Sequence, residues 1–245
     1  MILFIADLHL SPRSPGATAL FLAFLAGRAR KAEALYILGD LFEAWIGDDD
    51  DDPYHARIVA ALRAAADSGL KIGLLHGNRD FLLGPGFAAA AGVALMADPT
   101  VLTADGWQFV LSHGDALCLD DAAYMAFRAQ SRNPAWQAAL LAKPLAERRA
   151  IAAHLRAVSE ASQLDNGYTD LQAAATDDFL RAHGYAAFIH GHTHQPAKHD
   201  YIVDGIHVER WVLADWREDR GECLVWDGTA LQREAILPTA ALQVG

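Results

Sequence analysis

Seven side chains suited to holding metal ions fall in five short blocks, and each block follows an apolar run. The blocks are Asp7-Leu8-His9, Gly39-Asp40, Gly77-Asn78-Arg79-Asp80, Ser112-His113-Gly114-Asp115 and Gly191-His192-Thr193-His194. The runs before them cover residues 2–6, 35–38, 72–75, 109–111 and 187–189. Short apolar runs of this kind read as buried strands. The ligands therefore leave the carboxyl ends of several strands, where open α/β sheets place their sites. The donors are carboxylate, imidazole and amide, without thiolate. That mixture suits a pair of Mn²⁺-like ions better than a structural zinc.

Strand and helix patterns alternate through the first hundred residues. Strands at 2–6, 35–38 and 71–75 flank helices at 17–30 and 53–68, the second opened by Pro53 and closed by Gly69. This βαβαβ layout implies a parallel sheet. Further on, Asp105-Gly106, Asp204-Gly205 and Asp227-Gly228 sit between apolar or alternating runs. Asp-Gly in that setting marks a hairpin. Antiparallel strands are expected at 101–103 with 107–111, 201–203 with 206–213, and 223–226 with 230–235. Between them, the alanine-rich stretch 120–183 reads as a helical insertion, punctuated by Asn133-Pro134, Lys143-Pro144 and Asn166-Gly167. The expected organisation is a core made of 1–119 and 184–245, with 120–183 inserted into it.

The chain carries 31 acidic against 20 basic residues, a formal charge of −11. Nonspecific nucleic-acid affinity comes from neutralising phosphates with Lys and Arg, so nucleic acid is not the expected partner. An anionic substrate needs a local cation, which bound metals would supply. The two cysteines, Cys118 and Cys223, read as reduced thiols. No secretory leader is expected, since Met1 leads directly into the first strand. No apolar stretch reaches the ~20 residues that span a bilayer. A cytoplasmic protein, able to touch a membrane surface, is the expectation.

Seven ligands are too many for one ion and right for two if one carboxylate bridges, and Asp40 is placed as the bridge. Two ions ~3.5–4 Å apart can clamp the attacking and leaving oxygens of a phosphoryl transfer. Any one block alone could be an unrelated polar residue at a strand end. All five in this order could not.

In these blocks the chain resembles the calcineurin-like metallophosphoesterases, over the metal core from residue 2 to about 196. The resemblance implies a four-layer αββα sandwich of two mixed sheets, an α/β (α+β) fold. It implies one metal on Asp7, His9, Asp40 and His194, and a second on Asp40, Asn78, His113 and His192. Members of that superfamily usually place histidine after the motif asparagine, where it protonates a poor leaving group. Here the residue is Arg79, which stays protonated at any working pH. The leaving group should therefore need no proton, as for a phosphomonoester, and Arg79 should hold phosphate oxygens by a charge-assisted fork. A salt bridge from Arg79 to Asp80 is the plain structural reading. Cleavage of a pyrophosphate bond follows from the first.

Longer strings narrow the resemblance. Residues 39–49 (Gly39-Asp40-Leu41-Phe42-Glu43-Ala44-Trp45-Ile46-Gly47-Asp48-Asp49), 76–82, 113–121 and 212–216 are similar to the UDP-2,3-diacylglucosamine hydrolase family of lipid A synthesis. That family cleaves its lipid-linked UDP-sugar to UMP and 2,3-diacylglucosamine 1-phosphate (lipid X), water attacking the α-phosphorus. The resemblance implies Mn²⁺ as cofactor, a peripheral place on the cytoplasmic face of the inner membrane and a monomer. It implies an insertion that caps the site as a lid. Catalytic roles fall to Asp40, Asn78, Arg79 and His113. Substrate contacts map to Asn78, Arg79, Asp121, Ser159, Gln163, Asn166 and His192. Gln163 and Asn166 stand where a smaller polar residue and a lysine are expected, which leaves room for a shifted substrate preference or for another cation such as Lys143 or Arg149 to take over.

Other features carry two readings each. The acids 48–52 read as a solvated, mobile face, with Asp48 and Asp49 shaping the nearby loop. The apolar stretch around Trp136, Leu140 and Leu141 is either lid core or an acyl-chain groove. The nearby Arg128, Arg132, Lys143, Arg148 and Arg149 would suit an anionic leaflet. His76 and His190 read as core or supporting residues.

Overall fold

The structure, a computed structural model, describes residues 1–166 and 169–238, with side chains for all of these but 160–166. The side chains of Gln163 and Asn166, and the Asn166-Gly167 punctuation, thus lie outside the described residues. In chain order the elements are β1 (Ile2–Ile5), α1 (Pro15–Ala26), β2 (Ala34–Leu38), α2 (Pro53–Asp67), β3 (Lys71–Leu75), α3 (Pro85–Ala91), β4 (Ala94–Leu95), β5 (Thr100–Ala104) and β6 (Trp107–Ser112). Then come α4 (Ala122–Ser131), α5 (Pro134–Leu141), α6 (Leu145–Asn166), α7 (Ala173–Ala182), β7 (Ala187–His190), β8 (Ala197–Val203), β9 (Ile206–Val212), β10 (Gly221–Trp226) and β11 (Leu231–Ile236).

The strands form two mixed sheets, ordered β11-β10-β1-β2-β3-β4 and β5-β6-β7-β9-β8. In the first, β1, β2, β3 and β4 run parallel, and β10 joins antiparallel at Leu3↔Val225. In the second, β6, β7 and β9 run parallel between hairpin partners. Asp105 and Asp204 adopt φ of 52° and 53° ahead of Gly106 and Gly205, as two-residue turns with positive φ require. The two sheets face each other through Phe4, Leu38, Leu75, Phe109, Leu111, Ile189, Leu224 and Trp226, all buried. The outer face of the first sheet carries α1, α2 and α3 over Leu3, Ile5, Leu35, Ile37, Ile72 and Leu74. The outer face of the second carries α7, with Leu180 packed against Val110, Phe188 and Val208. Helix, sheet, sheet, helix is the expected four-layer order.

Differences from the sequence expectation are local. The first helix stops at Ala26, and a separate 3-10 turn covers Ala29–Lys31. Gly27 closes the helix with its N–H on the carbonyls of Ala23 and Phe24. The short α3 and the two-residue β4 had no readable pattern. β8 begins earlier than expected, at Ala197. It is an edge strand whose side chains alternate between half-buried and exposed, with little hydrophobic signal.

Candidate metal centre and substrate cavity

Every ligand block lies just past a strand end, and the backbone there is unusual. Asp7, His9, Asp40, His192 and His194 have φ between 47° and 68°. Ordinary side chains avoid this left-handed region at a cost of ~1–3 kcal/mol each. The turns are fixed by crosslinks between neighbouring loops. His9 N–H donates to the Asp40 carbonyl at 3.0 Å, and Asp7 N–H to the Gly39 carbonyl at 3.2 Å. The Asp80 carboxylate, fully buried, accepts from Leu41 N–H and Gly77 N–H at 2.8 Å each. It ties the exits of β2 and β3 together. The Arg79–Asp80 salt bridge, the plainer of the two readings, is not made: Asp80 serves the backbone, and Arg79 points to Ser159.

The structure brings all seven expected side chains into one cluster. Asp7 Oδ1 lies 3.6 Å from His194 Nε2, and His9 Nε2 lies 3.2 Å from His194 Nε2. Asn78 Oδ1 lies 3.0 Å from both His113 Nε2 and His192 Nδ1. Asp40 Oδ2 stands between the two groups, 3.8 Å from His9 Nε2 and 3.8 Å from His113 Nε2. Among the described residues, Asp7, His9 and His194, and also Asp7, Asp40 and His113, have donor atoms close enough to share an ion.

The cluster fits cations better than it fits itself. Asp7 Oδ1 is buried with no hydrogen-bond partner. Burial raises the cost of charge on Asp7, yet His194, His113 and His9 outweigh it and hold the carboxyl well below the usual range. Burial opposes charge on His113, and Asp40, Asp115 and Asp7 outweigh it and raise the imidazole to about 9. Burial and the neighbouring His113 push His192 down to about 3, leaving it a neutral donor. There is no spare room either. A Cβ at Gly77 would collide with the Asp40 carboxylate, and one at Gly191 with that of Asp7.

Residues 1–196 match the calcineurin-like phosphoesterase family. The chain belongs to that family. Within it, the chain is 53% identical to a protein of Chromobacterium violaceum named UDP-2,3-diacylglucosamine hydrolase, over 91% of this chain and 94% of that one. It is 47% identical to the Aromatoleum aromaticum protein of the same name, over 99% and 97%, and 48% identical to that of Escherichia coli O9:H4, over 89% and 91%.

A cavity of about 310 Å³ opens over the ligand cluster. His9, Asp40, Asn78, His192 and His194 form its floor. Its walls include Trp45, Ile46, Phe81, Leu82, Phe127, Leu140, Ile151 and Leu155. α6 contributes Arg148, Ile151, Ala152, Leu155, Arg156 and Ser159, one helical face by their spacing of three and four. Arg79 reaches up from the floor, donating to Ser159 Oγ at 3.1 Å. Asp121 caps α4 by accepting from Tyr124 N–H at 2.9 Å, and also lines the cavity.

The capping helices are held by ion pairs, which bear on two sequence expectations. The acids 48–52 stay largely solvated, but each has a partner within the chain. Asp48 accepts from Gly84 and Gly86 N–H and from Trp45 Nε1. Asp49 holds Arg148 at 2.7 Å, Asp50 and Asp51 pair with Arg149, and Asp52 caps α2. The basic residues of the insertion are likewise engaged within the chain. Arg128 and Arg132 reach the buried Asp115 at 2.9 and 3.5 Å, and Lys143 pairs with Glu147. Lys143 and Arg149 stay 41% and 45% exposed. Among the described residues, the cations lining the cavity are Arg79, Arg148 and Arg156, and not Lys143 or Arg149. Trp136 packs on Phe81, ring centroids 6.2 Å apart, as lid core, whereas Leu140 both joins the core and lines the cavity. Among the described residues no helix is long and apolar enough to cross a membrane. Glu43, absent from the expected site, faces His9 and Arg79. Its place in the Gly39–Asp49 string was its one sequence signal.

Proposed function

We propose that this protein hydrolyses the pyrophosphate bond of UDP-2,3-diacylglucosamine, giving UMP and 2,3-diacylglucosamine 1-phosphate for lipid A synthesis. One observation carries the reading: a cluster of hard-cation ligands floors a cavity whose walls are apolar. Such a cavity suits a substrate with a charged pyrophosphate and hydrocarbon chains, and the names of the relatives agree. Two divalent ions, which we take to be Mn²⁺, would supply Lewis acidity and an acidified water when bound. Asp7, His9, Asp40 and His194 would hold one, and Asp40, Asn78, His113 and His192 the other.

The chain's own residues divide the remaining work. Asn78 offers a neutral oxygen suited to a hard cation. Arg79 orients phosphate oxygens through two N–H groups and supplies positive charge without being able to give up a proton. The leaving group, a sugar 1-phosphate, departs as an anion and needs none. Water's oxygen bonds to the α-phosphorus and loses a proton to solvent, while the bridging P–O bond breaks with its electron pair going to the sugar phosphate. His192 and Asp121, which line the cavity, would contact the substrate, and Ser159 holds Arg79 by a hydrogen bond. The insertion 120–183 forms the lid through α4, α5 and α6, and α7 returns the chain to the second sheet. Each buried acyl CH₂ contributes ~0.8 kcal/mol, so the walls discriminate by chain length while the floor does not. We place the protein at the cytoplasmic face of the inner membrane, as a peripheral protein, because its substrate resides there.

Phosphorus NMR of products formed with Mn²⁺ in ¹⁸O-water is the test. Label in UMP and none in the sugar phosphate is expected. Label in the sugar phosphate would overturn the site of attack. Turnover of simple phosphodiesters or free nucleotides with none of the diacyl substrate would favour a different phosphoesterase.

A further inference from the structure

Glu43 is not a metal ligand in the reading above, yet it sits against two groups of that site. Its Oε2 lies 3.3 Å from His9 Nδ1, the ring nitrogen remote from the cluster. The contact is off the line of a straight hydrogen bond, and His9 Nδ1 is buried with no other partner. Its Oε1 lies 3.7 Å from the Arg79 guanidinium. The backbone sets this register. Leu10 N–H donates to Leu41 and Glu43 N–H to Leu10, at 3.0 and 3.1 Å, zipping the loop after β1 to the loop after β2. Glu43 is mostly buried, at 16% side-chain exposure.

We infer that Glu43 is a positioning residue that joins the metal centre to the phosphate-holding arginine. With one oxygen it keeps the proton of His9 on Nδ1, so that Nε2 presents its lone pair toward Asp7, Asp40 and His194. With the other it braces Arg79, whose far end is held by Ser159. Imidazoles that ligate metals commonly give their second N–H to a carboxylate, and losing that partner weakens the metal roughly 10–100-fold. The inference rests on the dinuclear reading, but it predicts something that reading does not: the two ions should respond unequally.

The test is Mn²⁺ titration of the purified full chain after chelator treatment, with free Mn²⁺ counted by electron paramagnetic resonance. Wild type is expected to bind two ions. Glu43→Ala should bind one with unchanged affinity and the other roughly 10–100-fold more weakly. Glu43→Gln, which keeps the volume and a weaker acceptor, should fall between and serves if the alanine variant does not fold. The Michaelis constant for the diacyl substrate should rise in both variants as Arg79 loses its brace. Unchanged binding of both ions overturns the inference. So does equal weakening of both with a lowered melting temperature of the stripped protein, since that is general loosening. A wild type that binds no Mn²⁺ would defeat the dinuclear reading itself.

Discussion

The ligand loops and the capping helices hold their shapes by opposite means. The loops are buried, crosslinked by backbone hydrogen bonds and bent through left-handed residues, with Asp7 and His113 fully enclosed. The cap touches the core through apolar contacts of Trp136, Leu140 and Ile151 and through guanidinium–carboxylate pairs, several of them half-exposed. Arg148 is 3% exposed while its partner Asp49 is 63% exposed. Ions at fixed positions need a rigid cradle, and lipid entry needs a cover that can part from the core. Exposed pairs are each worth ~0–1 kcal/mol and are screened by salt, which suits the second task and not the first.

If the loops carry the chemistry and the cap the selectivity, Asp40→Ala should give the largest effect. Turnover of the diacyl substrate should fall roughly 10³-fold or more, with an unchanged circular dichroism spectrum. Several per cent of activity at saturating Mn²⁺ would remove Asp40 from the bridging position. Arg79→His should come next. It should lower turnover of the diacyl substrate roughly 10²-fold, while an aryl phosphodiester loses less, since imidazole can protonate a worse leaving group. Equal losses on both substrates would end the leaving-group argument. A third effect concerns the cap alone. Leu140→Ala should cost ~2–4 kcal/mol in melting experiments and raise the Michaelis constant for long acyl chains more than for a short-chain analogue. A stable variant with equal constants would take Leu140 out of the cavity wall. The smallest effect is expected from salt. Raising NaCl from ~0.05 to ~0.5 M shortens the screening length about threefold and should loosen the cap by less than ~1 kcal/mol. The diacyl substrate's Michaelis constant should rise slightly, and aryl phosphodiester cleavage should not change.

The same contrast explains what could be read before any coordinates. The loops were legible because each ligand block is short, local and preceded by its own apolar run. The hairpins were legible because Asp-Gly is a turn with a mechanism. The cap was not. Its contacts join Asp49 to Arg148 and Asp115 to Arg128 across surfaces that no spacing rule links, and an acidic run looks the same whether it is solvated or paired. The positive φ values at Asp7 and His9 also left no trace, since neither residue is followed by glycine. Glu43 was hidden for a related reason: a supporting carboxylate has no motif of its own, only a place in space.

The left-handed backbone at Asp7, His9, Asp40, His192 and His194 has a consequence for how the molecule opens. Five such residues together hold on the order of 5 kcal/mol or more of torsional energy, supplied by the surrounding sheets. Bound ions would oppose its release from one side, and the crosslinks to Asp80 and the neighbouring loops oppose it from the other. With ions stripped by chelator, amide hydrogens around these turns should exchange with deuterium well before those of β1 or β6, at a local opening energy far below that of global unfolding. Sites that grip cations most firmly would then also be the first places where the bare chain lets solvent in.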